Sequence, residues 1–271
     1  MNLNQFLIKL IYFRKSKKIF LISGLIIFFV LILGLFSFGY LKFNSFPKII
    51  IWAWERPENL LFIKDKNIGV AFYAGTIIFS DSETTFQPRL QPLAINPKPP
   101  LMAVIRMINK ESSQLSNDQL LKAVDWIVKI CSQKNISGCQ IDFDVKSSEI
   151  NFYEKLIFET RNNLPKSMPL SITTLASWCH LGSWLDHLPI NEAVPMFYRL
   201  GPDEYLIKHG LVGESFMKAK NCQKAIGISI DEPLPQSKYL KNRRIYIYNP
   251  NSWTFEDFSN IMKEIKEKLK E

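Results

Sequence analysis

A chain of 271 residues, 47% of them apolar, can bury a sizeable core as one large domain or two small ones. The formal charge of +9 is uneven: residues 1–41 hold five cations (Lys9, Arg14, Lys15, Lys17, Lys18) and no acid, and the remainder carries 29 basic and 25 acidic residues. No Lys/Arg stripe interleaved with aromatics occurs, so nucleic acid is not an expected partner. Four cysteines (131, 139, 179, 222) are too few for a disulfide scaffold, and none forms a C-x-x-C.

The first element is Ile19–Leu41, IFLISGLIIFFVLILGLFSFGYL. It is uncharged and, at ~1.5 Å per residue, long enough to cross a ~30 Å hydrocarbon core. The RKSKK cluster before it should stay cytoplasmic, which puts the following domain on the other side. A cleavable signal peptide is the rival reading, but its apolar region is shorter, about 7–15 residues, and FSFGYLKF contains no A-x-A site. The expected organisation is a basic tail over 1–18, an anchor over 19–41 and an extracytoplasmic domain over 43–271.

Short apolar runs then alternate with helical patterns. KIIIWAW (48–54), GVAFYAGTIIF (69–79) and LMAVIRM (101–107) read as strands. SNDQLLKAVDWIVKICSQKN places Leu120, Leu121, Val124, Ile127, Val128 and Ile130 at helical spacing, capped by Ser116 or Asn117. CQIDFDV (139–145) is a fourth strand, and EINFYEKLIFETRNNLP a helix stopped by Pro165. Strands follow at 169–178, 193–200, 225–231 and 244–248, with an amphipathic helix at the C-terminus.

Eight strands joined mostly by crossovers imply parallel pairing and right-handed connections. This predicts an α/β fold, a (β/α)8 TIM-type barrel. The Pro-rich stretch 81–100 cannot be a regular helix, and the segment before the eighth strand is short. The barrel should therefore be irregular, with a doubly wound open sheet as the alternative.

Such barrels keep their sites at the C-terminal ends of the strands. In the fourth strand, period-two alternation turns Ile141 and Phe143 toward the helices and Gln140, Asp142 and Asp144 toward the axis. Two like charges so close disfavour joint ionisation, a usual device for acid/base work. The plainer reading is a structural carboxylate satisfied by an inward Arg or Tyr. Asp231 and Glu232 end the seventh strand, where Glu232 would put a second carboxylate across the pocket from Asp144. Glycoside hydrolysis needs such a pair, ~5–5.5 Å or ~6.5–9.5 Å apart. Tyr198, Arg199, Arg106, Arg56, Trp54 and Trp178 (with Trp52) are strand-end candidates for binding a substrate, though aromatics in strands are more often core. Cys131 and Cys139 are close enough in the predicted order to bridge, with separately buried thiols as the alternative. His180, His187 and His209 do not join them at metal-ligand spacing; neither a metal nor a cofactor is expected.

GCQIDFDV, LPKSMPLSITTLASWC and EAVPMFYRLG, in that order, resemble the bacterial family called "domain of unknown function 3142", over most of the chain from IWAWERP to ISIDEP. That family implies no activity. A more distant likeness is to family 18 chitinase-type glycoside hydrolases, whose fourth strand carries D-x-x-D-x-D-x-E and sixth M-x-Y-D. Asp142 and Asp144 match the second and third acids, and Met196 and Tyr198 the sixth strand. Cys139 replaces the first acid, Lys146 the general-acid glutamate and Arg199 the last aspartate. Another acid would then have to act, Glu232 first and Glu149 next. The likeness implies a glycoside hydrolase-like barrel that acts on or binds carbohydrate; the expected anchor would hold it in the bacterial inner membrane, on the side outside the cytoplasm. The alternative is a non-catalytic barrel that binds a glycan or an envelope partner.

Overall fold

The computed structural model describes residues 46–81, 83–110, 114–181, 183–201, 204–205 and 217–271. The basic tail and the expected anchor over 19–41 lie outside the described residues. Among these, no helix is long and apolar enough to cross a membrane.

In chain order the elements are β1 (Ile49–Ala53), β2 (Glu58–Leu60), β3 (Ile68–Ser80), β4 (Glu83–Pro88), β5 (Leu93–Ile95), β6 (Leu101–Asn109) and helix α1 (Asn117–Cys131). Then come β7 (Ile136–Asp142), α2 (Ile150–Asn163), β8 (Leu170–Leu175), α3 (Trp178–Leu181), β9 (Glu192–Met196) and β10 (Ala225–Ser229). A short helix α4 (Ser237–Leu240), β11 (Arg244–Tyr248) and α5 (Phe255–Lys268) complete the chain. Strands β1, β3, β6, β7, β8, β9, β10 and β11 are the eight predicted runs, and they pair in parallel in that order. Strand β1 pairs with both β3 and β11, so the sheet closes on itself. The closure excludes the open doubly wound sheet.

The irregularity falls where the Pro-rich stretch foretold it. Residues 81–100 form no helix. Instead β4 pairs antiparallel with the upper half of β3, and β5 pairs with β2. The β3–β6 register slips between Tyr73 and Gly75. A side chain at Gly75 (φ 157°) would meet the Phe86 ring at 2.4 Å and the Gln87 carbonyl at 2.5 Å, so glycine lets β4 cross there.

Alternation along the strands splits the core in two. Ile50, Trp52, Met102, Val104, Val194 and Tyr246 fill the barrel interior. Ile51, Ile105, Ile141, Phe143, Ile172 and Ile247 face the helices. Helix α1 starts at a capping box in which Ser116, not Asn117, is the cap, with Gln119 reciprocating. It buries Leu120, Ala123, Val124, Ile127 and Cys131, while Leu121 is exposed.

The barrel floor is polar. Glu192 and Arg244 form a fully buried ion pair. The Tyr246 hydroxyl donates to Glu192 Oε1 at 2.6 Å, and Arg244 Nε donates to the Pro47 carbonyl at 2.8 Å.

The cysteines pair otherwise than expected. Cys179, in α3, and Cys222, in the turn before β10, form a disulfide with Cα atoms 5.9 Å apart. Cys131 and Cys139 remain buried thiols, and burial pushes the Cys131 thiol well up. Spacing gives no hint of the 179–222 pair: its partners lie 43 residues apart and meet only through the fold. Among the described residues no cluster of His, Cys, Asp or Glu could hold a metal.

Candidate functional site

The inward row of β7 carries the polar line of the barrel. Gln140 is fully buried; it accepts from Trp52 Nε1 at 2.8 Å and donates to Ser171 Oγ at 3.1 Å. One step up, Asp142 Oδ1 accepts from the Thr173 hydroxyl of β8 at 2.6 Å. Arg106 of β6 stands in register with Asp142. Asp144 lies just beyond the strand end, nearer solvent.

Burial raises the Asp142 carboxyl to about 6, and the charge of Asp144 adds to the rise; the Thr173 hydrogen bond and Arg106 oppose it. Asp144 is raised too, by burial, against the pull of Arg106. Arg106 is thus the cation that steadies Asp144. Lys146 is exposed and does not line the cleft.

Aromatic rings surround the acids. Trp54, from the end of β1, meets Tyr73 at 5.6 Å and Tyr248 edge-on at 6.5 Å. Tyr198 and Tyr248 stack at 5.5 Å with planes 9° apart. The Arg199 guanidinium lies 5.8 Å from the Tyr198 ring and 5.9 Å from Tyr248. Burial, then the nearby Asp142, pushes the Tyr198 hydroxyl far up, so it stays protonated and able to donate.

These side chains line one cleft of about 200 Å³ at the C-terminal ends of the strands. It brings together the predicted Asp142, Asp144, Arg106, Tyr198, Arg199 and Trp54, with Trp52, Thr173, Met196 and Tyr248. Arg56 sits behind it, donating to the Tyr248 hydroxyl at 3.3 Å and the Asn249 carbonyl at 2.9 Å.

Four candidates stand elsewhere. Glu232 does not line the cleft: its Oε1 accepts the Arg199 backbone N–H at 2.9 Å and lies 3.6 Å from the guanidinium. Asp231 pairs with Arg199 at 2.9 Å on the rim, and that bond together with one from Ser229 holds its carboxyl below the usual range. Glu149 is buried against Asn109 Nδ2 (2.6 Å) and the Lys146 backbone N–H (2.8 Å). Trp178 packs on Trp184 outside the barrel, 5.7 Å away. The strand-end rule fails for Trp178 because β8 stops at Leu175 and the chain turns outward into α3.

Thr173 and Tyr248 were missed. Thr173 lies on the inward row of LSITTL, and Tyr248 is the last residue of β11. The same alternation that singled out Asp142 would have found both.

No family model and no curated protein matches the chain, so the likeness to domain of unknown function 3142 has no matching model behind it. Among solved structures the chain is similar to a family GH18 chitinase from Chromobacterium violaceum. The TM-score is 0.53 at 10% identity, over 84% of this chain and 86% of the chitinase. At that identity the likeness speaks for the barrel fold alone.

Proposed function

We propose that this barrel binds carbohydrate in the cleft at its strand ends, held by Ile19–Leu41 on the outer side of a bacterial inner membrane. One observation carries the reading: Trp54, Tyr198 and Tyr248 surround Asp142 and Asp144 in a single cleft. A sugar ring offers apolar C–H faces to aromatic rings and hydroxyls to carboxylates and guanidinium groups. The cleft is below the ~300 Å³ of an enclosed pocket for a drug-sized ligand, which suits one ring or a chain end rather than an enclosed oligosaccharide. The Cys179–Cys222 disulfide supports a location outside the reducing cytoplasm.

A second reading, glycoside hydrolysis, has one observation in its favour: an acid raised to about 6. Against it, Glu232 is turned to Arg199, so the two-carboxylate arrangement proposed for Asp144 and Glu232 is not assembled.

The test is titration of the full chain in detergent against short cell-envelope glycans, with products followed in parallel. Saturable binding that Trp54→Ala and Asp144→Ala abolish is expected, without turnover. Failure of every glycan to bind removes the carbohydrate reading. Turnover lost in Asp142→Asn establishes the hydrolase instead.

A further inference from the structure

The eight barrel strands run in parallel, so all their N-terminal ends share the face opposite the cleft. The loops that lead into them are basic. Lys48 precedes β1, Lys98 β6, Lys134 β7, Lys166 β8, Lys224 β10 and Lys241 β11, and all six are exposed. Two more lysines stand before β3; only the lead-in to β9 has none. The acids at this end include Asp65, among the β3 lysines, Asp186, which accepts the Asn221 backbone N–H at 3.2 Å, and Glu192, buried in its pair with Arg244. The opposite end is mixed, with Glu55, Asp142, Asp144, Asp231 and Glu232 offset by Arg56, Arg106, Arg199 and Lys146. The excess positive charge is thus gathered at the floor, while at the mouth acids and cations roughly balance.

The chain also enters at the basic end. Arg244 holds the carbonyls of Phe46 and Pro47 there, at 3.3 and 2.8 Å. In the sequence only residues 42–45 separate Phe46 from the apolar stretch ending at Leu41, five residue steps and a reach of at most about 18 Å.

We propose that the basic floor is a docking surface for anionic lipid headgroups, so that the barrel stands on the membrane with its cleft facing away. Lysines near an anionic leaflet are attracted to it, and a mouth of balanced charge is not, so the uneven charge both attracts and orients. Strands rise about 3.3 Å per residue, which lifts the cleft on the order of 15 Å above the floor. Sugars carried on lipids of the same bilayer cannot then enter it. Its ligand is a polymeric glycan standing off the membrane, a conclusion that rests on the carbohydrate reading above.

The test uses the full chain in vesicles that contain an acceptor dye on the lipid. A thiol-reactive donor is placed at Asn135→Cys, on the floor, or Asn251→Cys, at the mouth. The native thiols are buried or bridged and stay unlabelled. In vesicles with 30% phosphatidylglycerol, energy transfer from position 135 should exceed that from 251. The gap should narrow in phosphatidylcholine, at 0.5 M salt, and when Lys98, Lys134, Lys166 and Lys241 are all changed to Glu. Equal transfer from both positions, or a gap indifferent to lipid charge and salt, overturns the docking surface. So does a gap abolished only by a soluble acidic polymer, which would assign the floor to that polymer. Co-flotation with phosphatidylcholine vesicles reports the anchor separately. A chain that floats only with anionic vesicles refutes the anchor and supports the docking surface.

Discussion

Glu232 accepts the backbone N–H of Arg199 at 2.9 Å, and so caps the left-handed turn (φ 50°) in which Arg199 leaves the end of β9. The carboxylate expected to face Asp144 across the cleft instead shapes the loop that carries Tyr198. A non-glycine residue in this conformation is held there by its surroundings. Glu232→Gln keeps an acceptor for the N–H, and glycan affinity should change less than twofold. Glu232→Ala loses it and should weaken binding about threefold to tenfold through Tyr198 and Arg199. Equal losses in the two variants, read by titration, would give the charge itself a role in binding.

Asp142 makes the fold pH-sensitive. Its carboxyl is raised from 3.8 to about 6 by burial, so the folded state holds the proton over a range where the unfolded chain has released it. Stability contributed by the neutral acid is therefore present below pH ~4 and lost as pH rises through ~6. At 1.36 kcal/mol per pH unit the swing is at most about 3 kcal/mol. Asp142→Asn keeps an acceptor for Thr173 and removes the charge. Denaturant melts should show it more stable than wild type at pH 7.5 and indistinguishable at pH 4; the opposite order would refute the shift.

The floor predicts a large loss from a small change. Glu192→Gln leaves the Arg244 guanidinium buried without its counter-charge, which costs about 3–5 kcal/mol. Replacing both residues, as Glu192→Leu with Arg244→Met, should cost less than Glu192→Gln alone. Urea unfolding of wild type, Glu192→Gln, Glu192→Leu, Arg244→Met and the double variant reads the coupling, and additive losses would deny it.

Reducing the Cys179–Cys222 bond frees a loop that contains β9. Chain entropy for a separation of 43 residues gives about 4 kcal/mol, and typical measured values are ~2–4. A Cys179→Ser/Cys222→Ser protein should unfold at correspondingly lower denaturant, and dithiothreitol should shift wild type but not the variant.

The eight strands were legible because each is an apolar run bounded by turn residues, and their parallel order followed from the crossovers. The strands β2, β4 and β5 were not. ETTFQP and LAI carry too little apolar character; β4 exists because β3 outruns β1 and exposes an edge for it, and β5 because it meets β2. The inward row of β7 was read correctly from period two, down to Gln140 below Asp142. Glu232 and Trp178 went astray for a different reason. Each lies past the last residue of its strand, where alternation stops and loop geometry decides where a side chain points. The disulfide was illegible for want of any local spacing rule that joins residues across a barrel.

Arg244 belongs to the last barrel strand, yet it clasps the first described residues of the chain, and β1 finds its second neighbour only in β11. The opening strand must therefore wait, with one edge unpaired, until nearly the whole polypeptide has been synthesised. The barrel cannot be finished piecemeal from the N-terminus as the chain is delivered. An exposed apolar strand edge invites wrong partners. The interval before Arg244–Tyr248 arrives is then the stage at which a holding chaperone would matter most, and truncations ending before β11 should be recovered as aggregate or degraded fragment rather than as a smaller barrel.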